Sequence, residues 1–278
     1  MSTIYSLKSN YEIFYELAWP LLFMNIHEFV HEGHLTYMPN VAVDCAIFGF
    51  HDETLKILLL KWKNINGWSL PGGYMKRTEE ADEAASRLLR ERTGLDKIFL
   101  QQYHTFTGID RTKIPGMDLQ EFGRSIGVEI GPDHWLGQRV VCVGYYALVE
   151  YSRVRDPQAD SFTEACAWCN INELPPLLFD HNEMIEMAVR ALRLQLNYQP
   201  VGLNLLPGKF TMHELQKLYE TLLGYTLDRG NFRKKMLSTG ILRKTGERPT
   251  GKAHKTPHLY SFNKQEYVRA LKSGIRFT

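Results

Sequence analysis

The chain of 278 residues contains few cysteines and no long apolar run. Four cysteines are too few for a disulfide framework in a protein of this length, which favours a reducing compartment. Cys166 and Cys169 form a C-x2-C pair, but a zinc site needs two further ligands, so packing is the favoured role. Without about eighteen consecutive apolar residues the sequence predicts no transmembrane helix, and Ala18 to Val30 lacks the flanks of a secretory signal. These absences predict a cytoplasmic protein without membrane contact.

Acidic residues are scarce in the C-terminal quarter. The formal net charge of the chain is only +2. From Pro207 to Thr278 there are 15 Lys and Arg against 5 Asp and Glu, a net charge of +10. The remaining residues hold 18 basic and 26 acidic side chains, a net charge of −8. A basic segment joined to an acidic one is typical of a nucleic-acid-binding domain with a partner domain.

The order of apolar and turn segments predicts four parts. They are an N-terminal extension (1–40), a larger central domain (41–197), a linker (198–204) and a basic domain (205–278). The extension carries a predicted helix from about Asn10 to Leu17. In the second part, strands and helices alternate, which predicts an α/β (α+β) sandwich. The predicted strands are Val41 to Phe50, Leu55 to Trp62, Phe99 to Thr107, Arg139 to Glu150 and Ala165 to Ile171, the last of them buried; the predicted helices are Glu80 to Thr93 and Leu177 to Leu196. A Gly- and Pro-punctuated insert separates Arg111 from Arg139, and a loop of this length is usually functional or disordered.

The basic domain begins with the capping box of Thr211 to Glu214, which predicts a helix that ends at Gly224. Asp228 is expected to cap a second, basic helix ending near Gly240, with Phe232 and Met236 facing inward. Two strands, Ile241 to Thr245 and His258 to Phe262, follow. Helix, turn, basic helix and hairpin predict a small winged helix-turn-helix domain.

The second helix of such a domain enters the major groove of DNA. We expect Arg229, Asn231 and Arg233 to contact base edges, because Arg suits guanine and Asn suits adenine. Phosphate contacts are expected from the other basic residues, namely Lys234, Lys235, Lys244, Arg248, Lys252 and Lys255. A solvated basic face is the plainer alternative, and RNA is disfavoured because no aromatic stacking surface is evident. The sequence therefore predicts double-stranded DNA as the partner.

The segment from Gly73 to Leu95 lacks two carboxylates of a known motif. Nudix hydrolases follow the pattern G-x5-E-x7-R-E-U-x-E-E-x-G-U, where U is a bulky aliphatic residue. The residues in register are Gly73, Glu79, Arg87, Leu89, Glu91, Gly94 and Leu95, whereas Leu88 and Arg92 replace two glutamates. Positions 88, 91 and 92 share one helix face, where three carboxylates would bind Mg²⁺ or Mn²⁺.

A leucine and an arginine on that face predict no metal, no cofactor and no enzymatic activity. The alternative is a working hydrolase that recruits Glu80 or Glu83 as ligands. Metal sites need fixed ligand geometry, which argues against it.

Six further segments carry a family resemblance: DCAIFGF (Asp44–Phe50), WSLPGG (Trp68–Gly73), GIDR (Gly108–Arg111), RVVCVGYYALV (Arg139–Val149), INELPPLLFDH (Ile171–His181) and NFRKK (Asn231–Lys235). Together they resemble the Nudix-related transcriptional regulators over roughly Val41 to Phe262. The chain looks most similar to the bacterial arabinose-utilisation branch. The insert at 112–138 and the N-terminal extension depart from the family pattern.

This resemblance implies a degenerate Nudix domain that senses a small molecule and a C-terminal winged helix that binds an operator as a homodimer. The implied effector is a pentose in preference to ADP-ribose, to which another branch responds. Asp44 stands out as a carboxylate within an apolar strand, and buried charges are usually paired or bind something. Its expected partners, or contacts of the effector's hydroxyl groups, are Lys61, Asp110, Arg111, Arg139 and Tyr146. A plain bracing role for Asp44 stays open, and Trp68 and Trp168 are predicted to pack.

The predicted function is that of a ligand-responsive repressor of sugar-utilisation genes. Effector binding would favour a dimer geometry in which the winged helices no longer fit the operator half-sites. The rival functions are a metal-dependent Nudix pyrophosphohydrolase that acts on a nucleoside diphosphate derivative, and a binding module that uses DNA only as a scaffold.

Overall fold

The structure is a computed structural model and describes residues 25–96, 98–154, 156–196, 202–247 and 256–273. The predicted helix from Asn10 to Leu17 lies outside the described residues, as do Arg248, Lys252 and Lys255. None of the helices within these ranges is long and apolar enough to cross a membrane.

The larger part of the described chain is a seven-stranded sheet with helices on both faces. Its strands are β1 (Tyr37–His51), β2 (Thr54–Trp62), β3 (Trp68–Ser69), β4 (Gly72–Lys76), β5 (Phe99–Phe106), β6 (Val141–Leu148) and β7 (Thr163–Asn170). Its helices are α1 (Ile26–Thr36), α2 (Ala81–Thr93), α3 (Leu119–Ser125) and α4 (His181–Leu196). The main strand order is β3-β2-β1-β6-β5; β4 pairs with β1 and β7 with β2. The pair β1–β6 is parallel and the other pairs are antiparallel.

Alternate residues of β1 point to opposite faces of the sheet. On one face Val43, Cys45 and Ile47 pack with the apolar side of α2. On the other face Ala46 and Phe48 pack in the cluster that contains α4. The predicted α/β sandwich is confirmed, and Asp44 lies in the strand that both helices cover.

The N-terminal helix and the long insert pack against each other. Val30 of α1 forms a hydrophobic cluster with Val128 and Ile130 of the insert. The backbone carbonyl of Val30 also accepts a hydrogen bond from the indole of Trp135, at 2.7 Å. The part of the predicted extension nearest the sheet and the insert therefore form one added unit, because each has apolar side chains that the other covers.

The starts of β1 and α4, the insert and the burial of β7 differ from the prediction; α4 begins at His181 rather than at Leu177. β1 begins at Tyr37, so the predicted extension of 1–40 includes the first residues of the sheet, whose partial burial gives no clear apolar pattern. The insert is not structureless, because Asp118 and Glu121 form a capping box that starts α3. β7 is half-buried rather than buried, since it pairs only with β2 among the described strands.

The C-terminal part is a small winged helix domain. It contains β8 (Phe210–Thr211), α5 (Met212–Leu223), α6 (Arg229–Ser238), β9 (Leu242–Glu247), β10 (His258–Phe262) and α7 (Lys264–Ser273). The capping box at Thr211 and the left-handed Gly224 bound α5 as predicted, and Phe232 and Met236 are buried. β8 and α7 were not predicted; β8 adds a third strand beside β10.

This domain packs directly on the sheet. Leu215, Leu218 and Leu222 of α5 belong to the same apolar cluster as the α4 face of the sheet. Thr221 also donates a hydrogen bond to the carbonyl of Glu53, at the tip of the β1–β2 hairpin, over 3.0 Å. Burial of one leucine side chain contributes about 1.5–3 kcal/mol, so these contacts hold α5 firmly against the sheet.

Candidate effector site and DNA interface

The helix α2 of the degenerate Nudix segment is defined by local capping. Glu80 and Glu83 form a reciprocal capping box at its start, and Gly94 ends it in a left-handed conformation with φ 69°. A residue without Cβ adopts that conformation at least cost. Glu80 and Glu83, the carboxylates that a working hydrolase would have to recruit, are therefore engaged at the helix start.

Leu88 and Arg92 are both buried. Leu88 is 2% exposed and packs in the apolar cluster beneath α2, as predicted. The side chain of Arg92 is 5% exposed, and its Nη2 lies 2.6 Å from Oδ2 of Asp160. Arg92 therefore ties α2 to the segment before β7, and its charge is neutralised within the domain.

The retained carboxylate Glu91 pairs with Arg87. Nη1 of Arg87 lies 3.4 Å from Glu91, and its Nε and Nη2 lie 3.0 and 2.6 Å from the two oxygens of Glu79. Burial raises the pKa of Glu79, but the hydrogen bonds from Arg87 and from the backbone N–H of Lys76, together with the charges of Arg87 and Lys76, lower that pKa overall. Within the described ranges no three His, Cys, Asp or Glu side chains are placed to hold a metal ion. The donor set of this helix does not fit Mg²⁺ or Mn²⁺.

Asp44 belongs to a buried ion cluster that joins four of the family-like segments. Its Oδ2 lies 3.3 Å from Nη2 of Arg111, 2.9 Å from the thiol of Cys142 and 3.7 Å from Nε2 of His181. Arg111 also donates Nε and Nη2 to the two oxygens of Asp180, both at 3.0 Å. The Arg111 side chain is 4% exposed. We refer to Asp44, Arg111, Cys142, Asp180 and His181 as the ion cluster.

The protonation of the ion cluster follows from its hydrogen bonds. Nδ1 of His181 accepts from the backbone N–H of Leu70 at 2.9 Å, so the proton of a neutral imidazole sits on Nε2, which faces Asp44. Burial raises the pKa of Asp44, but the hydrogen bond from His181, the charge of Arg111 and the hydrogen bond from the Cys142 thiol lower it to about 2.

Position 72 requires a glycine because its backbone lies very close to the carboxylate of Asp44 in the ion cluster. A Cβ at Gly72 would lie 1.7 Å from Oδ1 of Asp44. Backbone and carboxylate cannot both keep their positions at that separation. The glycine of the WSLPGG segment therefore allows β4 to pair with β1 over the buried aspartate.

The structure brings only one of the five expected partners to Asp44. Arg111 contacts it, whereas Lys61 pairs with Glu164 of β7 at 2.5 Å. Asp110 pairs with Lys113 at 2.7 Å on the surface. Arg139 donates to the carbonyl of Thr107 at 2.7 Å. The expectation that these three pair with Asp44 was wrong, because each has a nearer partner. Their alternative role, contact with the effector, stays a prediction.

Tyr146 is buried on the same sheet face as Asp44. Its ring packs near Phe99 and Tyr103, with ring centroids 6.0 and 6.3 Å away. Trp168 packs against Tyr151, and Trp68 lies against the main apolar cluster. Sequence reasoning missed Cys142, Asp180 and His181, although all three stand within the quoted family-like segments. The Asp-His pair before an apolar helix was the available signal.

The helix α6 presents basic side chains to solvent. Asp228 caps it by accepting from the N–H of Asn231, at 2.8 Å. Arg229, Asn231, Arg233 and Lys234 are exposed, Lys235 is half-buried, and Lys244 is exposed on β9. Among the residues that the structure describes, no acidic side chain forms an ion pair with these five basic residues. Their charge is therefore available to a polyanion.

The turn before α6 is fixed by α5. Gln216 donates to the carbonyl of Leu227 at 2.9 Å, and Glu220 accepts from its N–H, also at 2.9 Å. The rings of Tyr219 and Phe232 meet edge to face, with centroids 5.5 Å apart. These contacts set the orientation of α6 relative to α5.

Two protein families match the sequence. Residues 38–188 match the NUDIX domain, and residues 202–262 match the NrtR DNA-binding winged helix domain. The chain is 29% identical over 237 residues to the ADPR responsive transcriptional repressor NtrR of Acinetobacter baylyi, covering 82% of this chain and 84% of that protein. It is 28% identical over 155 residues to an ADP-ribose pyrophosphatase of Methanocaldococcus jannaschii, covering 55% of this chain and 74% of that enzyme.

Two solved structures are similar to the chain along most of its length. NrtR of Shewanella oneidensis has a TM-score of 0.62 and 26% identity, covering 82% of this chain and 95% of that chain. The same protein complexed with a 27mer DNA has a TM-score of 0.63, also at 26% identity and the same coverage. Both contain the two parts of the chain in one molecule of similar fold.

Proposed function

The chain belongs to the Nudix domain family and carries an NrtR-type winged helix domain, and from this premise we propose that it is an ADP-ribose-responsive transcriptional repressor. The Nudix domain serves as the sensor, and the winged helix domain binds double-stranded operator DNA. A homodimer would present two such domains to two half-sites. The cytoplasmic location stays a prediction.

The observation that carries the proposal is the unpaired basic surface of α6. Arg229, Asn231 and Arg233 lie near the start of this helix, where side chains reach base edges in the major groove. Lys234, Lys235 and Lys244 would contact phosphates on either side. The similarity to a winged helix protein solved with DNA supports this use.

The effector we propose is ADP-ribose. The repressor of Acinetobacter baylyi, similar along 82% of this chain, is named for its response to that molecule. The arabinose branch, the pentose and the control of sugar-utilisation genes have no support among the relatives described above. The sequence could not separate the branches because Asp44 pairs with Arg111 and lies close to His181, and this pairing does not indicate which effector is bound.

Footprinting tests both parts of the proposal. The protein is incubated with the DNA upstream of its own gene neighbourhood, with no effector, with ADP-ribose or with arabinose. We expect protection of an inverted repeat that ADP-ribose abolishes and arabinose leaves intact. Protection that responds only to arabinose contradicts the proposed effector, and absence of any protected repeat contradicts the repressor function.

The second candidate is hydrolysis of ADP-ribose or a related nucleoside diphosphate. The retained Glu91 and the similarity to an ADP-ribose pyrophosphatase favour it. The pairing of Glu91 with Arg87 and the substitutions at Leu88 and Arg92 oppose it. We expect no turnover with Mg²⁺ or Mn²⁺. Rapid turnover that Glu91→Gln abolishes and that the control Glu173→Gln, exposed and outside α2, retains would establish the enzyme instead.

A further inference from the structure

The helix α4 joins the ion cluster to the winged helix domain. It contains 16 residues, which corresponds to a length of about 24 Å. Its first residue, His181, lies in the ion cluster, and its last turns lie against α5. A regular helix of this length moves as a stiff rod, so a displacement at one end reaches the other.

The backbone just before α4 is strained. Phe179 has φ 61°, in the left-handed region that a bulky aromatic residue rarely adopts. The next residue, Asp180, is held by both of its oxygens on Arg111. Such strain persists only where surrounding contacts enforce it. The Asp180–Arg111 pair and the ring contacts of Phe179 with Trp62 and His181 together hold this conformation at the start of α4.

Near the other end of α4, the side chain of Arg193 caps the C-terminal end of α5. Nε of Arg193 donates to the carbonyl of Leu222 at 2.7 Å. Leu222 lies in the last turn of α5, where carbonyls have no partner within the helix and where a cation is favoured. Leu192 and Leu196 lie in the same apolar cluster as Leu218 and Leu222. Through the turn at Leu227, α5 in turn sets the orientation of α6.

We infer that α4 is the element that transmits effector binding to the DNA-binding surface, with Arg193 as the positioning residue at the junction. The inference rests on the proposed function and specifies how its sensor acts. An effector that shifts Arg111 or Asp180 on binding moves the start of α4 with them, because Asp180 directly precedes the first residue of α4 and both of its oxygens are held by Arg111. Loss of the Asp180 contact releases the strained start of α4, and Arg193 carries the displacement to α5 and α6.

The test measures the coupling between two ligands of the intact protein. The affinity for a duplex selected by the protein from a random pool is determined with and without saturating ADP-ribose, for wild type and for Arg193→Ala. Arg190→Ala is the matched control, since Arg190 is exposed on the same helix one turn earlier. Allosteric coupling factors are typically about 5- to 150-fold.

We expect ADP-ribose to weaken DNA binding by the same factor in wild type and Arg190→Ala. In Arg193→Ala that factor should fall at least fivefold toward unity, and Arg193→Lys should restore part of it. By reciprocity, DNA must change the affinity for ADP-ribose by the same factor in each variant. Because the factor is a ratio within one variant, partial loss of folded protein cancels from it.

An unchanged factor in Arg193→Ala overturns the inference, even if DNA affinity falls, because Arg193 would then only stabilise α5. Calorimetry with ADP-ribose in the absence of DNA distinguishes a failure of the proposed function from a failure of the inference about α4. No binding of ADP-ribose to wild type contradicts the proposed function itself. Binding with an unchanged factor in Arg193→Ala contradicts only the role of α4, since coupling evidence rather than position identifies such an element.

Discussion

The sheet domain and the winged helix domain use charged residues in opposite ways. In the sheet domain Arg111, Arg87 and Arg92 are largely buried, and each lies within hydrogen-bonding distance of one or two carboxylates. In the winged helix domain Arg229, Arg233 and Lys234 are exposed, and no acidic side chain in the described ranges pairs with them. A charge satisfied inside the protein holds chain segments together, whereas an unpaired charge on the surface is available to a ligand.

The largest effect is expected from Arg111→Ala. Removal of the guanidinium leaves Asp44 and Asp180 without their cation, and breaking a buried ion pair this way costs about 3–5 kcal/mol. The measurement is the free energy of unfolding from urea titration. Lys113→Ala is the control, because its ion pair with Asp110 is exposed and contributes less than about 1 kcal/mol. Equal losses in the two variants would remove the contrast between buried and exposed pairs.

The pH dependence of stability tests the same cluster. The pKa of Asp44 is lowered from 3.8 to about 2 in the folded protein. The stabilisation by the carboxylate is therefore fully present above about pH 4 and is lost as the pH falls toward 2. The shift corresponds to about 2 kcal/mol.

Urea titrations at several pH values measure the contribution of the Asp44 carboxylate to the free energy of unfolding. Asp44→Asn should flatten the profile between pH 4 and 2 by that amount, whereas Asp52→Asn, at the exposed hairpin tip, should follow wild type. A wild-type slope that persists in Asp44→Asn would place the titrating group elsewhere.

Arg233→Ala tests the exposed charges. If Arg233 contacts a base edge, operator affinity should fall by ~1–3 kcal/mol and specificity should relax at one base pair. Binding to operator variants with each base pair changed in turn measures this pattern. Arg90→Ala, exposed on α2 of the sheet domain, should bind like wild type. Uniform weakening on all sequences would make Arg233 a phosphate contact instead.

The smallest effect is expected from Lys244→Ala. If about six phosphates are contacted, the logarithm of the binding constant should fall with the logarithm of salt concentration at a slope of about −5. Loss of one phosphate contact should reduce that slope by about 1 and leave sequence preference unchanged. Salt titrations of DNA binding measure the slope for wild type and Lys244→Ala. An unchanged slope would show that Lys244 on β9 does not contact a phosphate.

Local elements were predicted well because their causes lie within a few residues. Gly94 and Gly224 end helices in a left-handed conformation that side chains disfavour, and the box at Thr211 needs only residues three apart. The same kind of box at Asp118 was present in the sequence and was overlooked, so α3 appeared only in the structure. The half-burial of β7 could not be predicted, because an edge position depends on which strands pair.

The amino-acid sequence by itself determined the ends of α2 and α5, the loss of the carboxylate set on α2 and the positive charge of α6, since each follows from neighbouring residues or from composition. Only the tertiary structure decided which charges meet. Arg111 pairs with Asp44 and Asp180, whereas Lys61, Asp110 and Arg139 do not pair with Asp44. Strand order and the path of α4 decide this, because they bring residues far apart in the chain within hydrogen-bonding distance. Electrostatic pairing depends on separation in space, and the fold alone sets that separation.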